Sequence, residues 1–218
     1  MPARAPRATE EESAAAYLPE RRTLKTLRDA ARSCHGCGLW KNATQTVFGE
    51  GPRDARIVLV GEQPGNDEDL SGRPFVGPAG RILDEALEQA GIDRESSYVT
   101  NAVKHFKWIP KGTRRLHQKP GAREISACLP WLDAEIALLR PEVLVVLGAT
   151  AAASVFGPAF RVSRERGKIV PSRFVEHTVA TVHPSALLRL PPDADRDAEL
   201  ARFVEDLRVA AKLLGKKR

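Results

Sequence analysis

No stretch of the chain approaches the run of roughly 20 apolar residues that a membrane-spanning helix requires, so no such span is expected. The first twenty residues, MPARAPRATEEESAAAYLPE, also lack the apolar core of a secretory signal, which points to the cytoplasm. Cysteine is scarce. Three in 218 residues is an odd number and a poor disulfide framework, so metal or cluster ligation becomes the sharper question. No internal repeat occurs, and no low-complexity tract follows the leader. What remains is an apolar share of 42%, spread evenly enough for one core. Residues 1 to 20 are expected to be a flexible leader and residues 21 to 218 a single, monomeric domain. A net charge of +6 and a pI near 9.5 favour a polyanionic partner.

Along the chain, short apolar runs alternate with helical periodicity. A helix through RTLKTLRDAARS precedes CHGCG, and ARIVLVGEQPG reads as a buried strand feeding a Gly/Pro turn. GPAGRILDEALEQAG follows as a helix with Ile82, Leu83, Ala86, Leu87 and Ala90 on one face and Gly91 as its stop. SSYVTNAVKHF, PEVLVVLGA and HTVATVHPS read as further strands, and GAREISACLPWLDAEIALLR, TAAASVFG and DADRDAELARFVEDLRVAAKLL as helices. Such alternation predicts an α/β fold, a three-layer α/β/α sandwich around a mostly parallel, four-stranded sheet. Ligands in such sheets bind outside the carboxyl ends of the strands, and here those ends carry GEQPG, NAVKH, GAT and HPS.

Two stretches carry unusual chemistry. Cys34 and Cys37 form a C-x-x-C pair beside two glycines, which suits a metal, an iron-sulfur cluster or a redox couple, although a thioredoxin-like pair would sit between a strand and a helix. KGTRRLHQKP holds Lys111, Arg114, Arg115 and Lys119 around His117, has no apolar period, and is expected to be an anion-binding surface loop.

Together, CHGCG, GEQPG, RPFVGPAG, YVTNAVKH and VHPSALLR stand in the order found in the uracil-DNA glycosylase superfamily. From about residue 23 to 214 the chain resembles its iron-sulfur family 4 group and, through RRLH, the branch known as UdgX, which captures uracil-containing DNA covalently. The resemblance implies uracil excision from DNA, with single-stranded DNA favoured. It also implies a structural [4Fe–4S] cluster held by Cys34, Cys37, Cys128 and His105, the last standing where family 4 has a fourth cysteine; a ring nitrogen can ligate iron, as in Rieske centres.

By the same resemblance, Phe75 stacks on the flipped base, Asn101 reads its edge, Gly61 and Gln63 line the pocket, and His183 donates to uracil O2 as the anion departs. Ser185, Arg189, Lys111, Arg114 and Arg115 contact DNA phosphate, with Arg115 also restraining His117. Glu62 activates and accepts a proton, and His117 attacks C1′ in a single turnover. The competing expectations are a turnover glycosylase in which His117 only touches DNA, a non-catalytic iron-sulfur DNA-binding module, and a redox protein using Cys34 and Cys37.

Overall fold

A computed structural model describes residues 12–215. Its strands are β1 (Ile57–Gly61), β2 (Tyr98–Asn101), β3 (Trp108–Lys111), β4 (Arg114–His117), β5 (Val143–Leu147), β6 (Ile169–Val170) and β7 (His177–Thr181). Its helices are α1 (Leu24–Ala31), α2 (Asn66–Ser71), α3 (Pro78–Ala90), α4 (Ala122–Leu139), α5 (Gly148–Phe156), α6 (Val162–Glu165) and α7 (Arg196–Leu214).

The apolar runs IVLVG and VLVVL are buried along their whole length because helices cover both faces of the sheet. Ile57, Leu59, Val143, Val145 and Val179 face α3 and α7, packing on Leu83, Leu87, Phe203 and Leu207. Their neighbours Val58, Val60, Leu144, Val146 and Ala180 face α4 and α5, against Leu132, Ile136, Ala151 and Val155. This odd/even division is the period-two alternation of a strand expressed in a three-layer sandwich.

The sheet order is β2-β1-β5-β7-β6, with β1, β2, β5 and β7 mutually parallel and β6 antiparallel to β7. The four-stranded expectation is therefore corrected to five strands. The added edge strand, Ile169–Val170, is two residues long and too short to leave a pattern in the sequence. Among the described residues no helix is long and apolar enough to cross a membrane.

Lys111–Pro120 is a second correction. Half of it is not loop but hairpin, Lys111 ending β3 and Arg114–His117 forming β4, with Trp108 paired to His117, Ile109 to Leu116, Pro110 to Arg115 and Lys111 to Arg114. Gly112 has a φ of 60° and begins the two-residue connection, where a type II′ turn requires glycine. Charged residues hid the strand because a two-stranded ribbon has no core of its own to demand an apolar period.

Within the expected leader, Ala14–Tyr17 form a 3-10 turn capped by Ser13, and Ala14 is buried in an apolar cluster with Leu27, Cys34, Cys128 and Trp131. Residues 1–11 of that stretch lie outside the described residues.

Candidate active site

The carboxyl ends of β1, β2, β5 and β7 converge with the hairpin on one edge of the molecule. Gly61 and Asn101 are paired neighbours at the ends of β1 and β2. A Cβ on Gly61 would lie 2.3 Å from Asn101 Oδ1 and 2.7 Å from the Phe75 ring, so glycine alone leaves room between these two side chains. Phe75 is buried with a φ of 57°, a left-handed conformation that costs a non-glycine residue roughly 1 to 2 kcal/mol. It is held there by close packing: a Cβ on Gly80 would fall only 1.8 Å from Phe75 O. The buried Glu68 fastens the flanking loops, accepting from the backbone N–H of Gly65 and of Gly77, each at 2.9 Å.

Behind Asn101 lies a buried ion pair. Lys104 Nζ donates to Glu135, to Thr100 Oγ1 at 2.6 Å and to the carbonyl of Asn101 at 2.8 Å. Glu135 also accepts from Tyr98 Oη at 2.8 Å and from Gly49 N–H at 3.1 Å, so both charges are fully bonded. A pair satisfied in this way fixes geometry more than it adds stability. Here it clamps the backbone that presents Asn101.

The result is a cavity of about 160 Å³ bounded by Gln63, Phe75, Ala79, Asn101, His117 and His183, with Ser185 and Arg189 at its rim. His183 Nδ1 accepts from the backbone N–H of Ser185 at 3.2 Å and lies 2.8 Å from Ser185 Oγ. Burial, with help from Arg189 and His117, pushes its pKa down to about 4. The ring is thus neutral with its proton on Nε2, a donor for a developing anion.

His117 comes from β4, and its side chain is 47% exposed. Gln63 is oriented by the backbone of Lys107, whose N–H donates to Oε1 at 3.2 Å, and by Gln118 O, which accepts from Nε2 at 3.0 Å. The same amide nitrogen lies 3.3 Å from Lys107 O and 3.0 Å from His117 Nε2, three acceptors around two N–H groups. Where it donates to His117, Nε2 carries the lone pair and Nδ1 the proton. Partial burial lowers the His117 pKa, against the pull of Glu62, and favours this neutral form. Glu62 Oε1 is 3.6 Å from the same nitrogen, and its other oxygen accepts from Thr150 Oγ1. In the other tautomer Nε2 turns its proton toward Glu62, the acceptor expected for it. In both, the carboxylate is placed to stabilise positive charge beside the ring.

Arg115 does not point at solvent. Its Nη1 donates to the buried Asp69 at 2.6 Å and its Nε to Asn66 Oδ1 at 2.8 Å, while the guanidinium lies about 5.5 Å from the Phe106 and Trp108 ring centres. These contacts tie β4 to α2. Lys111 and Arg114 sit exposed at the hairpin tip and line neither cavity at His117.

Cys34 and Cys37 from one segment and Cys128 from another are brought into one corner, all as free thiols. Trp131 Nε1 donates to Cys34 Sγ at 3.3 Å and Lys104 N–H to Cys128 Sγ at 3.2 Å, the kind of donors that thiolate sulfur accepts. Burial pushes the Cys37 and Cys128 thiols up, toward the protonated form. His105 is buried beside Val103 and Lys104, its Nε2 3.0 Å from Thr46 Oγ1 and its pKa lowered by burial to about 4. Among the described residues no three of His, Cys, Asp and Glu converge as a single ion would need.

Sequence reasoning did not single out Thr150, Glu68, Asp69 or Ala79. Thr150 stood in the GAT strand end, whereas the stretch that carries Glu68 and Asp69 was given neither an element nor a role.

The model of the uracil DNA glycosylase superfamily matches residues 48–208. The chain belongs to that superfamily. Its curated relatives include the type-4 uracil-DNA glycosylase of Thermotoga maritima, 39% identical over 195 residues that cover 88% of this chain and 95% of that one. That of Archaeoglobus fulgidus is 35% identical over 204 residues, covering 89% and 96%. A type-5 uracil-DNA glycosylase from Thermus thermophilus matches a shorter stretch, 35% identical over 113 residues. The superfamily match begins at Phe48, after the C-x-x-C pair, and takes in the hairpin and all four strand ends.

Proposed function

We propose that this superfamily member is a uracil-DNA glycosylase that excises uracil and then captures the deoxyribose through His117, in a single turnover. The observation that carries the reading is the placement of His117 Nε2: a neutral nitrogen at the mouth of the base cavity, held by Gln63 and facing a carboxylate.

A uracil swung into the cavity meets Phe75 and the Asn101 amide, which supplies both a donor and an acceptor to its edge. The bond from C1′ to N1 breaks, its electrons pass to the base, and the His183 Nε2–H stabilises the charge on uracil O2. The sugar becomes oxocarbenium-like beside the Glu62 carboxylate. Release of the Gln63 hydrogen bond frees the His117 Nε2 lone pair to form the new C1′–N bond, and the Nδ1 proton passes to solvent. The product is an N-alkylated imidazole, a poor leaving group at neutral pH, so the protein acts once.

Single-stranded DNA is the favoured form because an unpaired base spares the cost of breaking a pair. Cys34, Cys37, Cys128 and His105 would hold a [4Fe–4S] cluster, which would cross-link three segments of the chain as a structural staple. The sulfur-directed donors and the convergence of three thiols fit that group; a cubane holds its ligands farther apart than a single ion does.

The test is a denaturing protein gel after incubation with a labelled uracil oligonucleotide. A band shifted by the mass of the DNA, absent with thymine and lost in His117→Ser, is expected. No shift, with strand breakage in hot alkali, would instead make the protein a turnover glycosylase, as the names of its type-4 relatives favour.

A further inference from the structure

Two cavities meet at His117. The second, of about 530 Å³, shares Gln63, His117, His183, Ser185 and Arg189 with the base cavity and then runs on past Thr150 to Ser163, Arg166 and Arg202. Four cations line it, Lys119, Arg166, Arg189 and Arg202, against one carboxylate, Glu62.

Arg166 is held from behind. Its Nε donates to Asp206 Oδ2 at 2.8 Å, an oxygen that Thr181 Oγ1 also reaches at 2.6 Å. Its Nη1 lies 3.7 Å from Glu199, which accepts from Arg202 at 2.7 Å. The packing is close: a Cβ on Gly167 would fall 2.5 Å from Asp206 Oδ1. Among the described residues, Arg166 Nη2 is the one buried side-chain nitrogen or oxygen with no hydrogen-bond partner. A charged donor in that state costs on the order of 1 to 3 kcal/mol or more, and an incoming acceptor recovers it. Because Asp206 already fixes the guanidinium, little side-chain freedom remains to be lost on binding.

We propose that this cleft is the path of the DNA strand away from the flipped nucleotide, and that Arg166 Nη2, with Arg202 at the outer wall, binds a phosphodiester of that strand. The inference rests on the glycosylase reading, because a base in the first cavity forces its own backbone out through the second. A phosphodiester oxygen suits an unpaired guanidinium N–H in a cleft of net positive charge, and the contact positions the strand without reading sequence.

The experiment uses single-stranded oligonucleotides bearing one 2′-fluorinated deoxyuridine, whose glycosidic bond resists cleavage, with one phosphate at a time replaced by neutral methylphosphonate. Binding is read by fluorescence anisotropy for the wild type, Arg166→Lys and Arg202→Ala. Lysine keeps a cation for Asp206 but has no second nitrogen. One replacement is expected to weaken wild-type binding about tenfold, and that penalty should shrink to about twofold or less in Arg166→Lys and partly in Arg202→Ala. The same penalty at every position in all three proteins would overturn the assignment. If Arg166→Lys does not fold, the exposed Arg202→Ala decides alone, and an unmoved pattern is the overturning result. Uracil release from the natural oligonucleotide is measured in parallel. A moved penalty without release leaves the path standing and removes the glycosylase reading; release with an unmoved penalty does the reverse.

Discussion

The base cavity and the His117 hairpin are held by different physics. Gly61, Phe75 and Asn101 sit at the ends of buried parallel strands or packed against them, so burial of apolar surface holds them in place. His117 rides on a two-stranded ribbon with no core, held by Arg115, Gln63 and the Trp108 indole, which donates to Asn42 O at 2.8 Å. The cavity is thus built into the core, with Glu68 and the Lys104–Glu135 pair behind it, whereas the hairpin is fastened on by polar tethers. The two should therefore come apart under mutation.

The largest effect expected is from Gly61→Ala. The added methyl must displace Asn101 or Phe75, so excision and adduct formation should both fall by about a hundredfold or more in a protein that still melts cooperatively. Equal loss of both products in single-turnover assays supports the cavity assignment, and retention of either breaks it.

Asp69→Asn should act on the hairpin alone. Loss of the charge opposite Arg115 loosens β4, so adduct formation should slow by about tenfold while uracil binding, read with a non-cleavable analogue, stays within about twofold. Parallel losses in both would show that the hairpin and cavity are one rigid unit.

Acid should separate the two regions next. On the proposed mechanism His117 must be neutral to attack, and its pKa lies below the ordinary 6.5, so adduct rate should be flat above that pH and fall as pH drops below it. His183, with a pKa near 4, stays neutral further down, so uracil release by His117→Ser should persist below the pH at which capture fails in the wild type. For stability the sign is the same. Between about 4 and 6.5 the unfolded chain binds a proton at position 183 that the folded chain does not, so stability rises with pH across that window and is lost as pH falls through it.

The smallest effect should come from Lys111→Ala and Arg114→Ala at the exposed hairpin tip. Each should weaken DNA binding by about two- to threefold and make the salt dependence shallower, with no change in adduct yield at saturating DNA. A loss of adduct at saturation would place the tip inside the catalytic machinery.

Most of the sheet was legible because buried strands must be apolar and glycine must close the helices that follow them: IVLVG, VLVVL and Gly91 each announced their element. The hairpin was not, since Arg114, Arg115 and His117 satisfy their strand through tethers to α2 and Gln63 that no local pattern encodes. What the motifs made legible was grouping: Asn101 and His183 meet at one cavity and the three cysteines in one corner. The site was not legible where a residue serves another, as with Asp69 behind Arg115, Thr150 behind Glu62 and Glu68 across two loops.

By itself the sequence determined the layered α/β class, the strand ends that carry the chemistry and the identity of the groups gathered there, because hydrophobic period and motif order are local properties. Tertiary structure alone decided the orientation of Gln63, its approach to the His117 ring, and that Arg115 turns inward. Those outcomes depend on hydrogen bonds between residues 44 to 71 positions apart, and only the folded chain brings such partners within 3.3 Å of each other.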